Sequence, residues 1–189
     1  MKNFLFVTGG ARSGKSSFAE EKASELGKRI TYIATSINSD EGMQHRIEEH
    51  KSSRPSEWAT IEMYKNFNEL DKNSDFLKSD LIILDCITLM VSNLLLESGI
   101  DFDKCTYEDI DEIENHIFDE IDILIAQLDD YDKVFIAVTN EVGMGVVPAF
   151  KTGVIFRDIS GRVNQYLASR AREVYMTVSG IPMKIKWGF

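Results

Sequence analysis

The segment Gly9-Gly10-Ala11-Arg12-Ser13-Gly14-Lys15-Ser16 satisfies the spacing G-x-x-x-x-G-K-[ST], and each residue type in it has a use toward phosphate. Gly9 and Gly14 let the backbone approach an anion closely, so that successive N–H groups can surround its oxygens. A helix starting near Lys15 adds the positive end of its dipole. Lys15 is then expected on the β and γ phosphates and the Ser16 hydroxyl on Mg²⁺. The plainer alternative is an ordinary glycine-rich turn. Against it stand the apolar run Phe4-Leu5-Phe6-Val7 before the motif and the helix-forming Ser17-Phe18-Ala19-Glu20 after it.

Two further groups can do chemistry. Asp85 ends the apolar run Leu81-Ile82-Ile83-Leu84, where a P-loop protein carries the carboxylate that holds Mg²⁺ through water. Alone, such a run is common; its weight comes from the phosphate loop expected beside it in the sheet. His50 is followed by Lys51 and Arg54, a small cationic group suited to phosphate or pyrophosphate. A neutral imidazole, with a reference pKa of about 6.5, can attack phosphorus directly. The bland reading is a packing residue that shares a helix face with Met43 and Ile47. His45 and His50 miss the i, i+4 spacing of a helical metal pair. His116 reads as structural, Arg157-Asp158 as ambiguous between a site and a surface ion pair, and Thr139 to Gly145 as either a capping turn or a substrate-facing loop.

These groups need a frame, and the order of patterns supplies one. Strands are expected at 3–8, 30–35, 58–63, 81–85, 133–138 and 173–178, and helices at 15–26, from 38 or 39 to about 51, at 66–71, 88–96, 107–128 and 157–172. Within 107–128 a stripe of Ile110, Ile113, Ile117, Ile121, Leu124 and Leu128 marks a packing face. Gly180-Ile181-Pro182 should turn the chain toward a last segment, Met183 to Trp187. Alternating strands and helices without linker or repeat predict one α/β domain over residues 1–189, a mostly parallel sheet covered on both faces. Ligands of such sheets bind beyond the carboxyl ends of the strands, so the phosphate loop, Thr35-Ser36, Asp85 and Thr139 to Gly145 should converge.

Composition narrows the partners. Net charge is −10, from 21 Lys and Arg against 31 Asp and Glu, which argues against a nucleic-acid surface. An anionic small ligand remains open if local donors and Mg²⁺ compensate it. The first apolar run is too short for a signal-peptide core, and no stretch reaches the roughly 18 apolar residues of a membrane span. Cys86 and Cys105 form neither a C-x-x-C pair nor a disulfide framework, so a reduced cytoplasm is expected.

The blocks GGARSGKS (Gly9 to Ser16), YIATS (Tyr32 to Ser36), HKSSRP (His50 to Pro55, with Trp58 after it), CITLMV (Cys86 to Val91), TNEVGMGVVP (Thr139 to Pro148) and FRDISGRVNQYLA (Phe156 to Ala168) occur in an order that covers most of the chain. Together they resemble the bifunctional adenosylcobinamide kinase and adenosylcobinamide-phosphate guanylyltransferase family of cobalamin synthesis. The resemblance implies a RecA-like P-loop NTPase fold, a homotrimer and two reactions. In the first, the γ-phosphate of ATP or GTP passes to the aminopropanol hydroxyl of adenosylcobinamide, a corrinoid. In the second, GTP guanylylates a histidine, matched here by His50, and the GMP group passes to the new phosphate. The resemblance also implies nucleotide contacts at Ala34, Thr35, Ser36, Lys51, Ser52, Ser53, Arg54, Glu62 and Asp85, beside the loop residues Gly9 to Ser16. Some members carry Glu where this chain has Asp85, a carboxylate one methylene longer. Two other readings stay open at this point: a different small-molecule P-loop kinase in which His50 is structural, and a nucleotide-sensing module without turnover.

Overall fold

The computed structural model describes residues 3–36 and 55–188. The expected helix at 38–51, and with it His45, His50, Lys51, Ser52, Ser53 and Arg54, lies outside the described residues. Strands β1 (Phe4–Gly9), β2 (Ile30–Ala34), β3 (Ala59–Glu62), β4 (Leu81–Asp85), β5 (Val134–Val138), β6 (Glu173–Val178) and β7 (Ile181–Lys186) form one sheet in the order β3-β2-β4-β5-β1-β6-β7. Every pairing is parallel except β6 with β7. Among the described residues the helices are α1 (Lys15–Leu26), α2 (Ser74–Lys78), α3 (Ile87–Glu97), α4 (Tyr107–Asp130) and α5 (Lys151–Arg170), with a 3-10 turn at Phe67–Lys72.

The central strands β1, β2, β4 and β5 are buried on both faces because both faces are covered there. Phe4 and Phe6 of β1 join Met90, Ile117, Ile121, Ile159 and Val163 of α3, α4 and α5 in one core. Leu5 and Val7, on the opposite side of the pleat, join Phe18, Ala19 and Ala23 of α1 in the other. The stripe read on α4 is its buried face, with Ile113, Ile117, Ile121, Leu124 and Leu128 inside and Ile110 at its margin. No helix among the described residues is long and apolar enough to cross a membrane.

Three local expectations need correction, and one helix has no counterpart among them. The β4 strand does not sit beside β1; β5 lies between them. Helix α2 has little periodicity to announce it and forms because Asn73 Oδ1 accepts from the N–H groups of Asp75 and Phe76 at 2.9 and 3.1 Å. Helix α5 begins at Lys151 and not Arg157, and the glycine inside its first turn has a use: a Cβ on Gly153 would lie 2.8 Å from Pro148 Cβ. The last turn is Ser179-Gly180, both with positive φ (53° and 83°), and Pro182 lies within β7. An edge strand tolerates that proline because only one of its sides is paired.

Thr106 closes the N-terminus of α4 in a reciprocal box, its Oγ1 accepting from Asp109 N–H while Asp109 Oδ2 accepts from Thr106 N–H at 2.8 Å. Thr106→Ala is expected to lower unfolding free energy by about 1 kcal/mol in a urea titration without altering nucleotide affinity.

Candidate functional site

The site is built where β1 stops. Gly9, the last residue of β1, has φ 154°, and a Cβ there would come within 2.5 Å of Thr177 O. Only a glycine lets β1 run that close to β6 and still turn. Gly14 takes the left-handed conformation (φ 92°) as the N-cap of α1, which has no side-chain cap and no acidic residue in its first turn. The first N–H groups of α1 are thereby left to an external anion.

Lys15 is buried and folded back over the loop, its Nζ donating to Gly10 O at 2.7 Å. Burial pushes its pKa below the ordinary lysine value, while the nearby Asp85 carboxylate and Cys86 act in the opposite direction. Lys15 and Asp85 therefore sense each other across the end of β5. Asp85 Oδ2 also accepts from Tyr32 OH at 2.7 Å. The Cys86 thiol, pushed up to about 12 by burial and by Asp85, is no nucleophile at neutral pH. The Asp85-Cys86 peptide bond is cis.

Register explains how distant residues meet. Val7 pairs with Val138, Val138 with Asp85, Asp85 with Ala34 and Ala34 with Glu62, so one row crosses the sheet at its carboxyl edge. Three of the sequence candidates, Ala34, Glu62 and Asp85, lie in that row. The expected convergence of the other clusters also holds. Glu141 N–H donates to Gly9 O at 3.0 Å and Thr139 N–H to Val7 O at 2.9 Å, which ties the loop after β5 to the end of β1.

Other candidates turn out to hold the frame. Thr35 is buried, and its Oγ1 donates to Cys86 O and accepts from Cys86 N–H, each at 2.8 Å. Its hydroxyl is occupied with the turn after Asp85, and Asn93 Nδ2 donates to its carbonyl at 2.7 Å. Thr139 Oγ1 donates to Asn164 Oδ1 at 2.8 Å, and Asn140 N–H donates to Thr88 Oγ1 at 2.6 Å. Arg157 pairs with its neighbour Asp158 at 2.8 Å, and His116 lies exposed on α4. Arg12 has φ 54° at the exposed crest of the loop, and Gly10 and Ala11 are exposed beside it; Ser16 and Ser36 are half-buried.

Sequence reading missed Tyr32 and Thr177. Tyr32 opens the YIATS block without a role of its own there, and its hydroxyl reaches Asp85 because β2 pairs with β4. Thr177 lies far from the loop in sequence, and nothing in its neighbours announces a contact with Ser13.

Among the described residues no cluster of three His, Cys, Asp or Glu side chains can hold a metal unaided. Ser16 and Asp85 offer one hydroxyl and one carboxylate. That hard-oxygen set suits Mg²⁺, which keeps several waters and takes its remaining ligands from phosphate.

Comparison with known proteins fits this arrangement. The sequence model of the family described as cobinamide kinase / cobinamide phosphate guanyltransferase matches residues 5–185. The bifunctional adenosylcobalamin biosynthesis protein CobU of Escherichia coli (strain K12) is 44% identical over 182 residues, which span 96% of this chain and 99% of that protein. The protein of the same name from Salmonella typhimurium is 46% identical over the same shares, 96% and 99%. The bifunctional adenosylcobalamin biosynthesis protein CobP of Pseudomonas aeruginosa is 35% identical over 180 residues, 95% of each chain. Among solved structures, an ATPase from the type III secretion system of pathogenic bacteria superimposes with a TM-score of 0.51 at 9% identity, a likeness of fold alone. The match covers 93% of this chain and 52% of that one, so this chain spans about half of the ATPase's length.

The depressed pKa of Lys15 has a sign that can be measured. Between its lowered value and the ordinary 10.5 the unfolded chain binds the proton more tightly, so the Lys15 contribution to stability rises with pH across that window. Lys15→Met is expected to remove this rise, to melt at or above the parent's temperature without nucleotide, and to lose most of the shift that ATP or GTP gives the parent. Melting curves from pH 7 to 10 with and without nucleotide check it; a nucleotide shift equal to the parent's would take Lys15 out of the site.

Proposed function

The chain belongs to the cobinamide kinase / cobinamide phosphate guanyltransferase family, and on that premise we propose that its single domain carries out both transfers of the bifunctional enzyme. The observation that carries the reading is the phosphate loop at the end of β1 with Lys15 within the field of Asp85, in a chain matched to the family over residues 5–185.

In the kinase step the γ-phosphate of ATP or GTP passes to the aminopropanol hydroxyl of adenosylcobinamide. The backbone N–H groups of Gly9 to Ser16 hold the phosphate tail, and Lys15 balances charge on the β and γ phosphates. Ser16 and Asp85 would hold Mg²⁺, which when bound neutralises charge on the transferring group. Tyr32 keeps the Asp85 carboxylate oriented, and Thr35 holds the Cys86 backbone next to it.

In the second step Nδ1 or Nε2 of His50 attacks the α-phosphorus of GTP, forming a P–N bond as the bond to pyrophosphate breaks. Lys51, Ser52, Ser53 and Arg54 balance charge on the departing pyrophosphate. A phosphate oxygen of adenosylcobinamide phosphate then attacks the same phosphorus, the imidazole leaves, and adenosylcobinamide-GDP is released. Topology supports this placement. β2 ends at Ala34 in the carboxyl-edge row, so the chain leaves the sheet through Thr35 and Ser36 on the side where the phosphate loop lies. Ala34, Thr35, Ser36 and Glu62 border that departure and complete the nucleotide site. The enzyme is proposed to work in the cytoplasm as a homotrimer.

Incubation with α-³²P-GTP and Mg²⁺ followed by denaturation is expected to leave an acid-labile, base-stable label on the parent and none on His50→Ala. Equal labelling of the two would end the covalent step and leave a kinase alone. Light scattering should return three times the chain mass of 21.5 kDa, and a monomer mass would remove the trimer.

A further inference from the structure

The phosphate loop makes little of its own structure. Within it Ser13 N–H donates to Gly10 O at 3.3 Å and Lys15 Nζ donates to the same oxygen at 2.7 Å. Glu141 N–H holds Gly9 O at its start, and Ser13 and Gly14 are met from the far end of the chain. Thr177 of β6 is in register with Gly9 of β1, and the two strands approach so closely there that a Cβ on Gly9 would also meet Thr177 Oγ1 at 2.6 Å. Thr177 Oγ1 and Ser13 Oγ share a buried hydrogen bond of 2.7 Å. The Ser13 carbonyl accepts from Gly180 N–H at 2.9 Å, and a Cβ on Gly14 would lie 3.2 Å from Gly180 Cα. Ser13 therefore gives its side-chain hydroxyl and its carbonyl to the β6–β7 hairpin. The left-handed pair Ser179-Gly180 folds that hairpin back, so that the Gly180 N–H meets the loop.

From this we propose that the β6–β7 hairpin is a splint for the phosphate loop, with Thr177 as a positioning residue for triphosphate binding that acts through Ser13 and touches no substrate. An anion is held by N–H groups that already converge; a loop that must be ordered first gives up affinity. The two hydrogen bonds fix Ser13, and Gly180 leaves no room for a Cβ on Gly14; these are the two residues immediately before Lys15, so the hairpin sets the direction of the first N–H groups of α1 and of the lysine. The inference rests on the reading of this loop as the triphosphate site, and it adds a residue that the motif does not contain.

Thr177→Val keeps the side chain's shape and removes its hydroxyl, whereas Thr177→Ser keeps the hydroxyl. Titration with a fluorescent ATP analogue is expected to show about threefold to tenfold weaker binding for Thr177→Val, the worth of one hydrogen bond, and near-parent binding for Thr177→Ser. Ser13→Ala should weaken binding similarly, and Thr177→Val added to Ser13→Ala should weaken it no further. In turnover, Thr177→Val should raise KM for the nucleotide and leave KM for the corrinoid unchanged. Parent-like affinity in Thr177→Val, an effect limited to melting temperature, or additive effects in the double variant would each overturn the splint. Should Thr177→Val fail to fold, parent-like affinity in Ser13→Ala overturns it equally. If the parent's binding ignores Lys15→Met, the triphosphate reading itself fails; if binding depends on Lys15 but not on the Thr177–Ser13 pair, only the splint does.

Discussion

A lysine ammonium held largely out of water at the end of a parallel sheet is the constraint on which this structure depends. Such a charge is costly to bury unless opposite charge and hydrogen-bond acceptors are close. Here they are the Gly10 carbonyl and, across β5, the Asp85 carboxylate. The arrangement leaves the lysine under-compensated, as its lowered pKa records. On the proposed reading, an incoming phosphate tail would supply the charge that the protein withholds.

The same economy explains how a chain of net charge −10 can serve an anionic ligand. No broad positive surface is needed when N–H dipoles, one buried lysine and a helix terminus without its own acidic cap converge on a few oxygens. No acidic residue lies within Gly9 to Ser16. The carboxylate that acts on Lys15 is that of Asp85, and it is held in place by Tyr32 and by the turn that Thr35 fastens at Cys86.

Strand order converts these local features into one site. β5 separates β4 from β1, which sets Asp85 and the loop on either side of a strand whose own continuation, Thr139 to Glu141, is tied to Gly9 at the start of the loop and to Thr88 in the first turn of α3. The polar network of Thr88, Thr139, Asn140 and Asn164 then fixes α5, through a residue in its interior, against that edge. Because these groups are buried and mutually bonded, they specify one geometry at the edge and not a range of them.

The phosphate loop, the strand that feeds it, the helix that leaves it and the carboxylate at the end of β4 were all legible in the sequence, because each is written in local spacing: glycines where the backbone must turn, apolar runs where both faces are covered, a periodic stripe on α4. The family resemblance was legible for the same reason, since it rests on contiguous blocks. What tertiary structure alone decided is who stands beside whom. The interposed β5, the use of Thr35 to hold Cys86 and the bond from Tyr32 to Asp85 come from strand order and register, which no single segment encodes. The grip of the β6–β7 hairpin on Ser13 joins residues 164 positions apart, and such a contact exists only once the sheet has formed.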